Sequence, residues 1–476
     1  CTGTRGSPAL PRADRERRRA GNPLRLVGAV GSVGAVVLLA GVAWTGSLAG
    51  RTAPLVPGAG VASPRHGVLS VRRTPEVLSF VTRTSRVVRG TEALVSMLPA
   101  DSCVTVDWLG ERLRSTRADT NYVPGSVNKL VTAAVALEVL GKDAVFTTSV
   151  KATDNADGTV ADLYLVGGGD PLLSRAEYVA GEKYPTINPT SLETLADATV
   201  AAGVRTVTGR IVGVDTFLDQ ERFVQQWPAE FHGTEAGPLG ALMVDDGTVI
   251  GQPVKPDDPA VAAAAEFASL LVARGVVING GVGHDVLPAG TRDVTSVSSA
   301  GLAGVVNEML VNSDNNTAEI LLKHIGLKAK GAGTTANGVA AVAETLSKWG
   351  VSATYVDGSG LSSANAVSCS AVASILAKFS DSFPSLLAVA GRTGTLRDIL
   401  DGSPLAGVLV GKTGTLSGVK ALAGYVPVDG DVPVSFVLLL NKPGIDNKSS
   451  YRPVWNALVA GLARASAGPR ASDLAP

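Results

Sequence analysis

The sequence predicts a mixed α/β (α+β) fold in which a main module is interrupted by an inserted, strand-rich domain. Three observations carry that prediction. Residues 127–140 are apolar and Ala-rich nearly all round and end at Gly141, the pattern of a helix buried on every side. Residues 408–412, 419–426 and 434–440 read as consecutive strands, the last two joined by the turn residues Val428-Asp429-Gly430. Between helix and strands, from about Phe146 to Asp293, short alternating stretches such as Leu163-Tyr164-Leu165-Val166 and Arg210-Ile211-Val212-Gly213-Val214 are separated by Gly and Asp turns.

With 476 residues the chain exceeds one ordinary core, which favours two or more packed units behind some non-globular sequence. Lys plus Arg and Asp plus Glu balance at 42 each, so no basic excess is present to meet phosphates, and a nucleic-acid partner is not expected. Arg12, Arg15, Arg17, Arg18, Arg19 and Arg25 precede an uncharged run over 26–50 that is long enough to cross a bilayer. A basic flank stays in the cytoplasm, which puts everything after Arg51 outside. The expected location is therefore the cell membrane, held by a single pass through this N-terminal helix. A cleaved signal peptide, with Ser47-Leu48-Ala49 as its small-x-small site, would instead yield a secreted protein. The expected organisation is a basic tail (1–25), a signal anchor (26–50), a Pro/Gly/Ser-punctuated linker (51–75), the main module in two parts (76–145 and 294–466) around the insert (146–293), and a short tail (467–476).

Taken in order, the module opens with a strand over 103–108, where Val104, Val106 and Trp108 alternate, a turn at Leu109-Gly110 and a return strand over 111–115. The buried helix follows. After the insert, helical periodicity returns at 302–310, 317–325 and 340–349, and a final helix over 451–465 carries an apolar face of Val454, Leu458 and Leu462. Cys103 and Cys369 are the two cysteines beyond the apolar run. In an oxidising compartment they form one disulfide or remain as two buried thiols, and spacing alone does not choose.

Three short motifs lie along this scaffold: Ser126-Val127-Asn128-Lys129, Ser313-Asp314-Asn315 and Lys412-Thr413-Gly414-Thr415. Taken singly they read as a surface Ser–Lys pair, a helix N-cap and a turn. Their joint setting says more, because Ser126 opens the buried helix, Ser313 lies in the helical half, and Lys412-Thr413-Gly414 ends a strand with two more behind it. SxxK, SDN and KTG together are the signature of an acyl-serine enzyme. A spacing of three sets Ser126 beside Lys129, whose uncharged amine can take the hydroxyl proton. Ser313 is placed to shuttle a proton to a leaving amine, and Asn315 to hold a substrate amide. Lys412 supplies positive potential for a terminal carboxylate, while Gly414 lets a substrate backbone lie against the strand. The oxyanion hole would use the backbone N–H groups of Ser126 and Thr415, with Thr413 beside them on the same strand.

Competing chemistries fail on their own terms. Gly407-Val408-Leu409-Val410-Gly411-Lys412-Thr413 is one residue short of a P-loop between its glycines. No GxSxG elbow occurs, and His66, His232, His284 and His324 have no evident triad partners. Neither HExxH nor clustered Cys/His is present, so no metal or cofactor is expected.

With these motifs the chain resembles the class C low-molecular-mass penicillin-binding proteins, the D-alanyl-D-alanine carboxypeptidase/endopeptidase family. The likeness runs from about residue 95 to 466. It includes Gly167-Gly168-Gly169-Asp170-Pro171, similar to that family's GGGDP segment, and Asp357-Gly358-Ser359-Gly360-Leu361-Ser362, similar to its DGSGLS loop. The resemblance implies a serine β-lactamase/penicillin-binding-protein transpeptidase-like fold with an inserted domain. It implies hydrolysis of the terminal D-Ala-D-Ala bond of peptidoglycan stem peptides through an acyl-Ser126 intermediate, endopeptidase action on cross-links, and β-lactams as covalent inhibitors. It further implies an acidic residue in the loop before a strand-like stretch at 241–244, to read the stem peptide's diamino-acid side chain. Glu230 is the candidate, since a carboxylate there would pair with a free ammonium. The interval from Ser126 to Ser313 is short for the family, which leaves the role of the insert open. The alternatives are a serine β-lactamase, against which the insert and anchor argue, and a catalytically silent penicillin-binding-like sensor, which would have no need of Ser126, Lys129, Ser313 and Lys412 together.

Overall fold

The computed structural model describes residues 74–153, 157–428, 431–466 and 469–473. The basic tail, the apolar run 26–50 and nearly all of the linker lie outside the described residues. The helices α1 (Thr74–Gly90) and α2 (Glu92–Met97) lead into the hairpin of β1 (Ser102–Trp108) and β2 (Glu111–Thr116). The hairpin turns at Leu109 and Gly110, both at positive φ, as a two-residue turn between twisted strands requires. A 3₁₀ turn, Gly125–Asn128, runs straight into α3 (Lys129–Leu140). Next come β3 (Thr147–Ala152), β4 (Leu163–Val166), α4 (Leu192–Ala201), β5 (Ile211–Val214), α5 (Pro259–Ala273), β6 (Val282–His284) and β7 (Arg292–Ser298). The helices α6 (Leu302–Val311), α7 (Asn315–Lys330), α8 (Thr335–Lys348) and α9 (Cys369–Lys378) precede β8 (Ala388–Val389), β9 (Val410–Leu416), β10 (Val419–Val428), β11 (Asp431–Asn441) and α10 (Lys448–Leu462).

The larger sheet has the order β8-β9-β10-β11-β1-β2 and is antiparallel throughout. Two stretches of chain far apart in sequence thus share one sheet, because β1 pairs with β11. The alternation on β11 explains its unbroken apolar run. Val437 and Leu439 face a core with Val131 of α3, Leu310 of α6, Leu321 of α7 and Ile375 of α9. Phe436, Leu438 and Leu440 face the opposite core, with Trp108, Trp455 and Leu458. A strand covered on both faces has no polar side to show. In the first core α3 is enclosed by the other helices, which is why its sequence lacks a polar stripe. Asp429 and Gly430 of the expected hairpin turn lie outside the described residues, but β10 and β11 pair up to Val428 and Asp431.

A second sheet has the order β6-β5-β4-β3-β7, with β4, β5 and β6 parallel and both β3 and β7 antiparallel to their neighbours. Here the structure departs from the sequence reading in three ways. The insert is not simply strand-rich, since α4 and α5 pack on the sheet, and Ala260, Ala263, Ala264, Phe267 and Leu271 of α5 are buried in its core. The periodicity of α5 is hidden in an Ala/Val run, although Asp258 caps the Ala260 and Val261 N–H groups and Pro259 opens the first turn. The boundary at residue 293 cuts through β7, which pairs with β3 as far as Ser298 opposite Thr147. Residues 241–244 are no strand; they are buried coil whose Ala241 carbonyl accepts the Gly169 N–H at 2.8 Å. Among the described residues no helix is long and apolar enough to cross a membrane.

Cys103 of β1 and Cys369, the first residue of α9, are joined by a disulfide with Cα atoms 6.0 Å apart and a sequence separation of 266. This resolves the choice between bridge and free thiols, and it ties the first strand of the sheet to a helix of the second half. Closing so long a loop restricts the unfolded chain, so the double variant Cys103→Ser/Cys369→Ser is expected to lose about 2–5 kcal/mol of stability. Equilibrium urea unfolding measures this; a midpoint equal to that of the wild type contradicts the bridge.

Candidate active site

The site forms where β9, the 3₁₀ turn before α3, the start of α7 and the loop 357–362 meet. On β9 the short strand β8 pairs only with Val410 and Gly411. Among the described residues, the outer edge of Lys412 to Leu416 therefore has no strand partner, which leaves it open to an added extended peptide. The Lys412-Thr413-Gly414 motif does not end its strand, as the sequence suggested, but sits in its middle, and β9 continues to Leu416.

Ser126 is held on the 3₁₀ turn, and the following residue in the motif's pattern, Lys129, begins α3. Lys129 Nζ lies 3.2 Å from Ser126 Oγ, 2.6 Å from Asn315 Oδ1 and 2.7 Å from the Ser359 carbonyl oxygen. Lys129 is fully buried. Burial pulls its amine down from the ordinary 10.5 to about 8, against the opposing pull of Glu319, Asp357, Asp314 and Glu235. On the other side, Lys412 Nζ donates to Ser313 Oγ at 2.8 Å and to its neighbour's carbonyl at Thr413, 3.0 Å away. Lys412 is buried as well, and burial followed by repulsion from Lys129 holds its amine well below the usual lysine range.

Ser313 has φ 67°, a conformation that ordinary residues rarely adopt, in the three-residue connection between α6 and α7. Asp314 is the N-cap of α7, accepting from Thr317 N at 2.9 Å, so its carboxylate is engaged by the helix, while Ser313 and Asn315 bond the two lysines of the site. The sequence reading gave Asn315 a substrate amide to hold; within the protein its side chain has a further part. Its Oδ1 accepts from Lys129 while its Nδ2 donates to the Glu235 carbonyl at 2.8 Å, so it steadies the lysine.

The turn carrying Ser126 is wedged between β9 and the loop 357–362. A Cβ on Gly414 would meet Pro124 O at 2.4 Å, and one on Gly360, which has φ 84°, would meet Gly125 O at 2.1 Å. Gly414 was expected to make room for a substrate backbone; in the structure it makes room for the nucleophile's own turn. Thr413 Oγ1 donates to Thr395 Oγ1 at 3.0 Å, and Thr415 Oγ1 accepts from Lys420 Nζ at 2.8 Å, so both threonines are fixed by side chains the sequence reading did not single out.

Of the residues expected at the site, Ser126, Lys129, Ser313, Asn315 and Lys412 come together, with Thr413, Gly414 and Thr415 beside them. Glu230 does not join them. It is exposed on a 3₁₀ turn, Ala229–Phe231, and lines a separate groove of ≈ 850 Å³ with Phe231, Leu361, Leu416 and Ser417. That groove adjoins the far end of β9. The cleft lined by Ser313 and Asn315 has ≈ 310 Å³ and takes its acidic lining from Glu182, Glu235, Asp246, Glu308 and Asp314 instead. Sequence reasoning also missed Glu319, buried behind Lys129. Its spacing of four from Asn315, which places both on one face of α7, was the available signal.

Comparison with known proteins agrees with this geometry. The sequence profile of the D-Ala-D-Ala carboxypeptidase 3 (S13) family matches residues 103–257 and 253–460. The D-alanyl-D-alanine carboxypeptidase of Actinomadura sp. is 32% identical over 418 residues, covering 69% of this chain and 75% of its own. Carboxypeptidase DacB of Mycolicibacterium smegmatis is 31% identical over 358 residues, covering 70% of this chain and 75% of its own. Among solved structures, penicillin binding protein 4 (dacB) of Haemophilus influenzae shares the fold with a TM-score of 0.61 at 20% identity, over 79% of this chain and 97% of that one.

The close approach at Gly414 yields a test. Gly414→Ala forces the Ser126 turn and β9 apart, and a displacement of the nucleophile of this order is expected to slow acylation by a penicillin about a hundredfold while the circular-dichroism spectrum is kept. Acylation at the wild-type rate would show that the turn is not held by this contact.

Proposed function

The chain belongs to the D-Ala-D-Ala carboxypeptidase 3 (S13) family and is a serine-type D-alanyl-D-alanine carboxypeptidase, and we propose that Ser126 is the residue it acylates. The observation that carries this is the set of oxygens around Lys129 Nζ. Asn315 Oδ1 and Ser359 O can only accept, so they take the two N–H bonds of a neutral amine. The lone pair is left for the hydroxyl proton of Ser126, 3.2 Å away.

In the proposed reaction Lys129 takes that proton as Ser126 Oγ attacks the carbonyl carbon of the penultimate D-alanine of a peptidoglycan stem peptide. The oxyanion is received by the Ser126 and Thr415 N–H groups. Lys412 attracts the terminal carboxylate and, through Ser313 Oγ, supplies the proton that lets the D-alanine amine leave. Once the D-alanine has left, Lys129 gives up its proton and Lys412 regains one by exchange with solvent. Water, deprotonated by Lys129, then attacks the acyl carbonyl, and that proton passes from Lys129 to Ser126 Oγ as the acyl group leaves. A β-lactam would acylate the same oxygen, and cross-linked peptides would be cleaved by the same steps where the leaving amine belongs to a second stem.

Placement outside the cytoplasm, anchored through 26–50, belongs to the same proposal. The Arg-rich flank supports it, as does the Cys103–Cys369 bridge, which an oxidising compartment maintains. We also assign Glu230 to the diamino-acid side chain of the stem peptide. Its groove continues β9 beyond Thr415, where a peptide added along the open edge would extend its side chains.

Labelling with a fluorescent penicillin, followed by intact-mass analysis and mapping of the adduct, tests the nucleophile. One adduct on Ser126 is expected in the wild type and none in Ser126→Ala; a stable adduct on another residue sinks the assignment. Because the Lys129 amine is depressed to about 8 and acts neutral, acylation should rise with pH through about 8 and level off above it. A rate that is flat through this range would remove Lys129 from the role of base. For Glu230→Gln, kcat/KM is expected to fall about ten- to a hundredfold for stem peptides with a free side-chain amine, with acetylated peptides unaffected. Equal losses for both substrates would place the selectivity elsewhere.

A further inference from the structure

The reaction as proposed leaves the buried Glu319 without a part. Glu319 is fully buried in α7. Its Oε2 accepts the Gly358 N–H at 2.9 Å and its Oε1 the Ser359 N–H at 2.7 Å. Asp357 takes the Gly360 and Ser362 N–H groups, each at 2.7 Å. Four backbone donors of the loop 357–362 thus converge on two carboxylates. The peptide planes on both sides of Gly358 are fixed by Glu319, and the next plane, whose Gly360 N–H is held by Asp357, carries the Ser359 carbonyl that accepts from Lys129 Nζ.

A carboxylate inside a helical core is expensive unless it is hydrogen-bonded, and burial does raise the Glu319 carboxyl above the usual range, with Asp357 adding to the rise. The two N–H bonds offset that cost. They also make Glu319 the link between the helix that carries Asn315 and the loop that carries Ser359, which are the two acceptors of the Lys129 amine.

We propose that Glu319 is a positioning residue for the base: by holding the Gly358 and Ser359 N–H groups, its carboxylate sets the loop residue whose carbonyl aims the Lys129 amine at Ser126 Oγ, and it places a negative charge behind that amine. The inference rests on the reading of Lys129 as the base of Ser126. The other charged groups that act on Lys129 come from each side of it: Asp357 from the loop, Asp314 from the cap of α7 and Glu235 from the insert, all favouring its charged form, and Lys412 from β9 opposing it. Glu319 heads the favouring set, so its removal should make the amine easier to deprotonate, while loosening the backbone at Gly358 and Ser359 should make the same amine a worse-aimed base. A residue that only filled space would produce neither change together.

The test is the pH dependence of Ser126 acylation by a fluorescent penicillin across about pH 6 to 10, with the adduct mapped by mass spectrometry, for the full-length wild type, Glu319→Gln and Glu319→Asp. In Glu319→Gln the acidic limb is expected to move down by about one pH unit, and the plateau to fall about tenfold. Glu319→Asp keeps the charge but shortens its reach, so its limb should stay with the wild type while its plateau falls. A Glu319→Gln limb that coincides with the wild type, with the adduct still on Ser126, overturns the inference and leaves the proposed reaction standing. A wild-type adduct on a different residue overturns the proposed reaction, and this inference with it. If Glu319→Gln does not fold, Glu319→Asp decides: a wild-type plateau overturns the proposal, and a lowered plateau at an unmoved limb supports it.

Discussion

The Nζ atom of Lys129 contacts oxygens that lie 3, 186 and 230 residues away in the chain, on the turn of Ser126, on α7 and in the loop 357–362. Each of these segments is placed by a different packing problem, and they agree at one nitrogen. The amine is shut away from water, so any loss of an acceptor would leave a buried donor unmatched, which costs far more than the same loss at the surface. The low pKa that the chemistry needs arises from the same enclosure. Anything that opened the site to water would both loosen the lysine and charge it.

The rest of the architecture serves to keep that enclosure closed. The sheet brings β9 against the Ser126 turn, and the absence of a side chain at Gly414 lets Pro124 O approach where a Cβ would stand at 2.4 Å. From the opposite side the loop 357–362 presses on Gly125 and is itself braced by α7 through Glu319. It is also braced by the insert's connecting loop, since Trp227 Nε1 donates to Asp357 Oδ2 at 3.1 Å. Glu230 lies three residues beyond that tryptophan. The segment assigned to substrate side chains is therefore tethered to the same loop that aims the base, so the insert is not an appendage hung beside the active site.

How much of this was legible in the sequence depended on how local the physics was. Ser126 and Lys129 were readable because three residues along a helix are neighbours in space. The buried helix and the doubly covered strand β11 were readable because burial on all sides erases polar positions. The extent of β9 was not, because Gly411 to Thr415 carries none of the alternation expected of a strand; its cover is the Ser126 turn, which no local pattern reveals. Helix α5 hid in an alanine run whose buried positions look like its exposed ones. Glu319, in the middle of α7, reads as one more polar helical residue until a loop some forty residues later is folded over it. The cysteine pairing, likewise, required the distance between two Cα atoms rather than a count.

The two lysines of the site are set apart by the company they keep. Four carboxylates favour the charged form of Lys129, whereas for Lys412 burial and the charge of Lys129 both act against it, and its named partners, Ser313 Oγ and the Thr413 carbonyl, are neutral. An anion arriving beside Lys412 would supply the opposite charge it lacks and raise its affinity for a proton. In the proposed reaction that anion is the terminal carboxylate of the substrate, the very group whose amine must be protonated to leave. Substrate binding would then prepare the acid, while the enclosed pocket around Lys129 keeps the base ready beforehand. One lysine is tuned by the protein and the other is completed by the ligand, which gives two chemically identical side chains opposite roles in one site.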